Sequence, residues 1–163
     1  MPDKSLTTPL KRMTIFCKNI ERSLALYRDI LGFTVAEEKT VSGPAMGQML
    51  GLGACTMRIV HLQSSQSENG LIGLYEISGT PVPDAPPSKP GQVYYGQTAM
   101  VLYTHHLDQI YRAAVDAGYK FLTPPTPYVK ATDHPMMRAG TYTEMVFYDP
   151  DGVLVSITGL PKE

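Results

Sequence analysis

Apolar residues along the chain fall into two consecutive blocks with the same order of periodicities. In the first block, Met13-Thr14-Ile15-Phe16-Cys17 is rich in strand-forming side chains. Asn19 then offers a helix N-cap, and Ile20, Leu24, Tyr27 and Leu31 recur at helical spacing until Gly32 stops the helix. Phe33-Thr34-Val35 reads as a short strand, and a Gly/Met-rich connection over residues 43–53 follows it. Thr56–Leu62 and Leu71–Ile77 read as two strands joined through the polar turn Ser64–Gly70. The second block repeats these events. Ala99–Tyr103 predicts a strand and Thr104 a cap, and Leu107, Ile110, Tyr111, Ala114 and Val115 form one helical face before Gly118. Phe121–Thr123 is again a short strand, then comes a Pro/Met-rich loop. Strands over Thr143–Tyr148 and Val153–Thr158 flank the turn Asp149-Pro150-Asp151-Gly152.

Each block is therefore strand–helix–strand–strand–strand, an α+β plan of two βαβββ modules. The boundaries drawn from the pattern are 10–80 for the first module, 81–95 for a Pro-rich linker and 96–160 for the second module. Five of the ten residues from Pro81 to Pro90 are proline, which predicts a stiff, extended connector. Neither module is long enough to bury a sheet alone, so the pattern predicts two modules curved around a cavity. The helices cover one side of each sheet.

Composition narrows the class without changing this plan. Hydrophobic residues make up 43% and charged residues 18% of the 163-residue chain, as in a globular domain. Fourteen basic and fifteen acidic residues give a net charge of −1, which offers nucleic acid no basic face. No apolar run approaches the roughly 18 residues of a membrane span, and Met1–Lys11 has no signal-peptide pattern. Two cysteines, Cys17 and Cys55, make no disulfide framework, and a reducing cytoplasm is the expected compartment.

Two motifs carry a resemblance. The run from Asn19 to Phe33 and the segment Phe147-Tyr148-Asp149-Pro150-Asp151-Gly152, with weaker support from Asp116–Leu122, resemble the vicinal oxygen chelate superfamily. Glyoxalase I, extradiol dioxygenases and bleomycin-resistance proteins belong to it. The likeness covers about residues 10–160 and implies a homodimer and a small-molecule ligand. It also implies a divalent metal held by one His, Gln or Glu from each of four strands. Counted from the motifs, those positions hold Arg12, Gly73, Ala99 and Ser156, none of them a good ligand. A register slip reaches only Glu76, on the helix side of its sheet, and Gln97. No metal and no other cofactor is expected.

Strand alternation counted from these positions predicts which side chains face the cavity, and in the third strand the resemblance implies that Met57, Ile59 and His61 do, with Met145 and Phe147 by the same counting. Inward from the first module come Arg12, Thr14, Phe16, Met57, Ile59, His61, Leu71 and Tyr75. From the second come Val101, Tyr103, Met145, Phe147, Leu154, Ser156 and Thr158. The substrate-binding set is Thr14, Phe16, Met57, Ile59, Tyr75, Val101, Tyr103, Met145, Phe147 and Ser156, with Arg12 and His61 as the chemical pair. Arg12 is either an anion holder or an exposed strand-start cation with an acidic neighbour. His61 is either an acid/base or a half-buried imidazole with both nitrogens satisfied. Tyr75 and Tyr103 either bind a ligand or simply wall the cavity. His105-His106 reads as a solvated helix start and Cys17 as inert core. His134 sits in a loop, and Met46, Met49, Met136 and Met137 suit either a lid or a dimer contact.

Three functions follow from this pattern. The first is a metal-independent lyase or isomerase acting on a small anionic, partly apolar or aromatic substrate. The second is a non-catalytic binding protein of the bleomycin-resistance kind. The third, a metal-dependent glyoxalase or dioxygenase, requires a different ligand mapping.

Overall fold

The computed structural model describes residues 6–84 and 91–161, which divide into two compact units at the 85/86 junction. Residues 81–84 of the connector carry no helix or strand, and residues 85–90 lie outside the described set.

The first unit runs β1 (Arg12–Cys17), α1 (Ile20–Leu24), β2 (Thr34–Gly43), α2 (Pro44–Met49), β3 (Cys55–Gln63) and β4 (Leu71–Ser78). Its strands pair in the order β1-β4-β3-β2, with β1 parallel to β4 and the other pairs antiparallel. The entry into α1 is fixed at two points. Asn19 Oδ1 accepts the amides of Glu21 at 3.0 Å and Arg22 at 3.2 Å, and the Glu76 carboxylate accepts that of Ile20 at 2.6 Å. Beyond Leu24 the helix widens into a π-helical stretch, Ala25–Ile30, and ends where Gly32 takes φ 79°. Ile20, Leu24 and Tyr27 are buried with Ile15, Val60, Leu62 and Leu74, so the core lies between helix and sheet.

The second unit runs β5 (Ala99–Thr104), α3 (Leu107–Asp116), β6 (Phe121–Lys130), β7 (Gly140–Tyr148) and β8 (Leu154–Gly159), paired β5-β8-β7-β6. Strands β5 and β8 are parallel, and the rest are antiparallel. The turn into β8 is held by Asp149, whose Oδ1 accepts the amides of Asp151 at 2.9 Å and Val153 at 2.8 Å. His106 is the residue at the start of α3, and Thr104 Oγ1 accepts the His106 amide at 2.9 Å just ahead of it.

Four local expectations change. Strand β2 extends to Gly43 where only Phe33–Val35 read as strand, and β6 extends to Lys130 through Pro124, Pro125 and Pro127. Both are edge strands, where charged residues and prolines are tolerated because one side of the backbone makes no ladder. The Gly/Met-rich connection contains the short helix α2, started by Pro44 at its first turn. Val115 points away from the core and is exposed.

Candidate functional site

Residues paired across a ladder share a face, so the registers sort every strand side chain. In the first unit one row reads Thr14, Gly73, His61, Glu37, and the next reads Phe16, Tyr75, Ile59, Lys39. Arg12 stands level with Leu71, and Met57 stands level with Ile77 and Val41. The face away from α1 therefore brings together Arg12, Thr14, Phe16, Met57, Ile59, His61 and Tyr75. Glu76 belongs to the opposite face, where it holds the start of α1.

His61 is the centre of a hydrogen-bonded chain on this face. Its Nδ1 lies 2.8 Å from Glu37 Oε2, and its Nε2 lies 3.2 Å from the Tyr75 hydroxyl. Lys39 Nζ donates to the other oxygen of Glu37 at 2.8 Å. That ammonium, first, and then the imidazole hold the Glu37 carboxyl below the ordinary glutamate range. His61 is only 8% exposed, whereas Glu37 is exposed and Tyr75 half-buried. The Tyr75 ring also meets Phe16 edge-on, with centroids 5.9 Å apart.

Gly73 makes this arrangement possible. A Cβ there would stand 2.9 Å from Tyr75 Cε1 and 3.4 Å from both Arg12 Cδ and Thr14 Oγ1. The space above the glycine is thus filled from three sides by a phenol ring, a guanidinium stem and a hydroxyl. Arg12 is exposed, and among the described residues no ion pair engages it.

The second unit has a different face. Val101 stands level with Ser156 and Val146, and Tyr103 stands level with Thr158 and Glu144. Ser156 donates its hydroxyl to Glu144 Oε1 at 2.5 Å. Tyr128 stacks on Tyr142 with ring centroids 5.9 Å apart, and burial together with the Glu144 charge pushes its phenol pKa up. A cleft of about 430 Å³ opens at one end of this face, lined by Tyr103, Met136, Met137, Arg138, Tyr142 and Leu160 among others. Its loop is stapled by Asp133, which accepts the Ala139 amide at 2.7 Å, and by a backbone bridge between His134 and Met137.

Met145 and Phe147 require a correction. They pair with Ile157 and Val155, the residues facing α3, and not with Ser156. Both are fully buried, and the Phe147 ring packs against Tyr119 and Phe121 at 5.8 and 5.3 Å. The turn through Asp149 sets Tyr148 opposite Leu154, which fixes the parity of β7. Glu144 and Val146 occupy the positions assigned to Met145 and Phe147. Sequence reasoning also missed Glu37 and Lys39, which lie on the unrecognised part of β2, and Tyr128, on the unrecognised part of β6. The β-branched pair Thr40-Val41 ahead of Gly43 was the available signal for the longer β2.

Fold and motif agree with the comparisons. The model of the Glyoxalase/Bleomycin resistance protein/Dioxygenase superfamily matches residues 10–157, so the chain belongs to that superfamily. None of the curated proteins matches it by sequence. Among solved structures it is similar to a glyoxalase family protein from Bacillus cereus, with TM-score 0.67 and 13% identity, covering 97% of this chain and 96% of that one. It is also similar to the trypanothione-dependent glyoxalase I of Leishmania major, with TM-score 0.58 and 12% identity over 94% and 87% of the two chains. TioX from a Micromonospora species gives TM-score 0.52 and 14% identity over 94% and 98%. At these identities the likeness is one of fold.

The superfamily's enzymes usually hold a divalent metal, and the four positions that the resemblance assigns to it here do not fit one. Arg12 is a cation, Gly73 and Ala99 carry no donor, and Ser156 gives its hydroxyl to Glu144. Among the described residues no group of three or more His, Cys, Asp and Glu side chains gathers to hold an ion.

Proposed function

We propose that this protein is a metal-independent lyase or isomerase for a small anionic, partly apolar or aromatic substrate. The observation that carries the reading is the convergence, above Gly73, of the Arg12 side chain, which no ion pair engages among the described residues, with Thr14 and the Tyr75–His61–Glu37 chain. Arg12 holds the anion, since its planar fork suits a carboxylate or an enolate oxygen. His61 supplies the proton store, with the Glu37 carboxylate 2.8 Å from its Nδ1. Phe16, Met57 and Ile59 offer an apolar wall on the same face. The reading carries with it a cytoplasmic homodimer, in keeping with two reduced thiols at Cys17 and Cys55 and with the family habit. Among the described residues no helix is long and apolar enough to cross a membrane.

One observation favours a second reading, a binding protein without turnover. The second unit carries a ligand-sized cleft beside stacked tyrosines, and among its described residues no acid/base chain like that of His61 is seen. One experiment separates the readings. Protein dialysed against a chelator is offered phenylpyruvate, and keto–enol tautomerisation is followed by the absorbance of the enol. Turnover that needs no added metal, and that His61→Ala abolishes while binding persists, supports the enzyme. Saturable binding with no turnover establishes the binding protein. Turnover only after Mn, Fe, Ni or Zn is restored returns the chain to the metal-dependent branch.

A further inference from the structure

Tyr75, rather than His61, is the group that we infer exchanges the proton with the substrate, with Glu37 as the positioning residue behind the pair. The inference rests on the acid/base reading above and assigns the roles within it. A neutral imidazole has one donor and one acceptor nitrogen. Ionised Glu37 can only accept, so the proton of neutral His61 sits on Nδ1, 2.8 Å from Oε2. Nε2 is then bare, and the group within reach is the Tyr75 hydroxyl at 3.2 Å, which donates to it. Both nitrogens are used, and the ring is 8% exposed, so His61 has no free lone pair for a substrate. The Tyr75 oxygen gives its one proton to His61 and keeps its lone pairs.

Gly73 supports the assignment independently. Any side chain there would collide with the Tyr75 ring, so the glycine lets Tyr75 lie across its own strand and reach His61 on β3. The Arg12 stem and the Thr14 hydroxyl crowd the same space, so a substrate anion held by Arg12 enters beside Tyr75. The proton step balances without a co-reactant. Tyr75 passes its hydroxyl proton to Nε2 as its oxygen takes a proton from the carbon next to the substrate carbonyl. The electron pair of the broken C–H bond moves into the enolate, whose oxygen Arg12 stabilises, and the new imidazolium lies against Glu37. Return of the proton from Tyr75 to a different atom of the enolate, and of its own proton from Nε2, completes an isomerisation.

The test uses the full chain and phenylpyruvate, with nitrogen-15 NMR of the histidines as a second readout. Tyr75→Phe is expected to lower kcat by about 10²- to 10⁴-fold, the usual weight of a positioned acid/base, with KM nearly unchanged. Arg12→Ala is expected to act chiefly on KM. Glu37→Gln is expected to lower kcat and to leave His61 with a mixture of tautomers, where the wild type shows Nδ1–H alone. Tyr75→Phe at full activity, beside an inactive His61→Gln, overturns the assignment while leaving the acid/base reading intact. A wild-type His61 carrying its proton on Nε2 also overturns it, whatever the kinetics. Wild-type protein inert towards phenylpyruvate removes the acid/base reading, and the role of Tyr75 with it.

Discussion

Two single positions determine whether the chain on the first sheet can operate. Gly73 has no positive φ, so its backbone accepts a side chain, and only the space above it forbids one. Gly73→Ala is therefore expected to keep the fold within about 1 kcal/mol, the scale of one lost hydrogen bond, yet to push Tyr75 off His61. Urea unfolding reads the first effect, and the nitrogen-15 shift of His61 Nε2, which would lose the Tyr75 hydrogen bond, reads the second. A variant whose His61 Nε2 shift matches that of the wild type would contradict the crowding argument. Glu37 sets the pH behaviour of the same chain. Its carboxyl titrates below the ordinary glutamate value of 4.5, chiefly because Lys39 donates to it and then because His61 does. A depressed folded value means that the carboxylate stabilises the fold above pH 4.5 and loses that contribution as pH falls through the depressed value. Glu37→Gln should accordingly flatten the fall of Tm on the acid side of pH 4.5. An unchanged acid limb in Glu37→Gln would show that the Lys39 and His61 contacts are not kept in solution.

At the scale of elements, the decisive question is which side of β7 carries the ligand. Phe147 is buried among Tyr119 and Phe121 on the α3 side, so Phe147→Ala opens a core cavity. Its expected cost is about 3–5 kcal/mol by denaturant unfolding, with little effect on ligand affinity in whatever protein stays folded. A loss below about 1 kcal/mol with a large drop in affinity would put Phe147 back in the cavity wall. This strand also shows where sequence reasoning stops. The start of α1 and the stops at Gly32 and Gly118 were legible, since Asn19 and the two glycines act through local backbone chemistry, whereas α3 is capped at His106 rather than Thr104 and α2 was missed. The face of β7 was not legible, because Met145 and Phe147 are as suitable for a core as for an apolar cavity. Parity there depends on the turn through Asp149, which sets the register of β7 against β8. The edge strands were lost for a related reason. The Glu37-Glu38-Lys39 run in β2 and the prolines of β6 look like loop when taken alone, and pairing with β3 and β7 makes them strand. The candidate site lost Glu37, Lys39 and Tyr128 along with those extensions.

At the scale of the whole molecule, the same βαβββ plan occurs twice with different chemistry on each sheet. The face of the first unit carries a cation and a charged hydrogen-bond chain, with Arg12, Glu37, Lys39 and His61 on one surface. The face of the second carries phenols, hydroxyls and the Glu144 carboxylate, which is bonded to Ser156. The four positions that the resemblance assigns to a metal hold Arg12, Gly73, Ala99 and Ser156, and none of these is a good ligand. The outcome is measurable by elemental analysis after soaking the protein with Mn, Fe, Ni and Zn salts and dialysing it. Retained metal is expected to stay far below one equivalent, because none of Arg12, Gly73, Ala99 and Ser156 offers a good donor. Near-stoichiometric metal surviving dialysis would mean that side chains outside those four positions assemble a centre. In that case Glu37 and His61 are the residues to mutate first, since an ion bound between them would displace the Lys39 contact and abolish the Nδ1–H signal of His61.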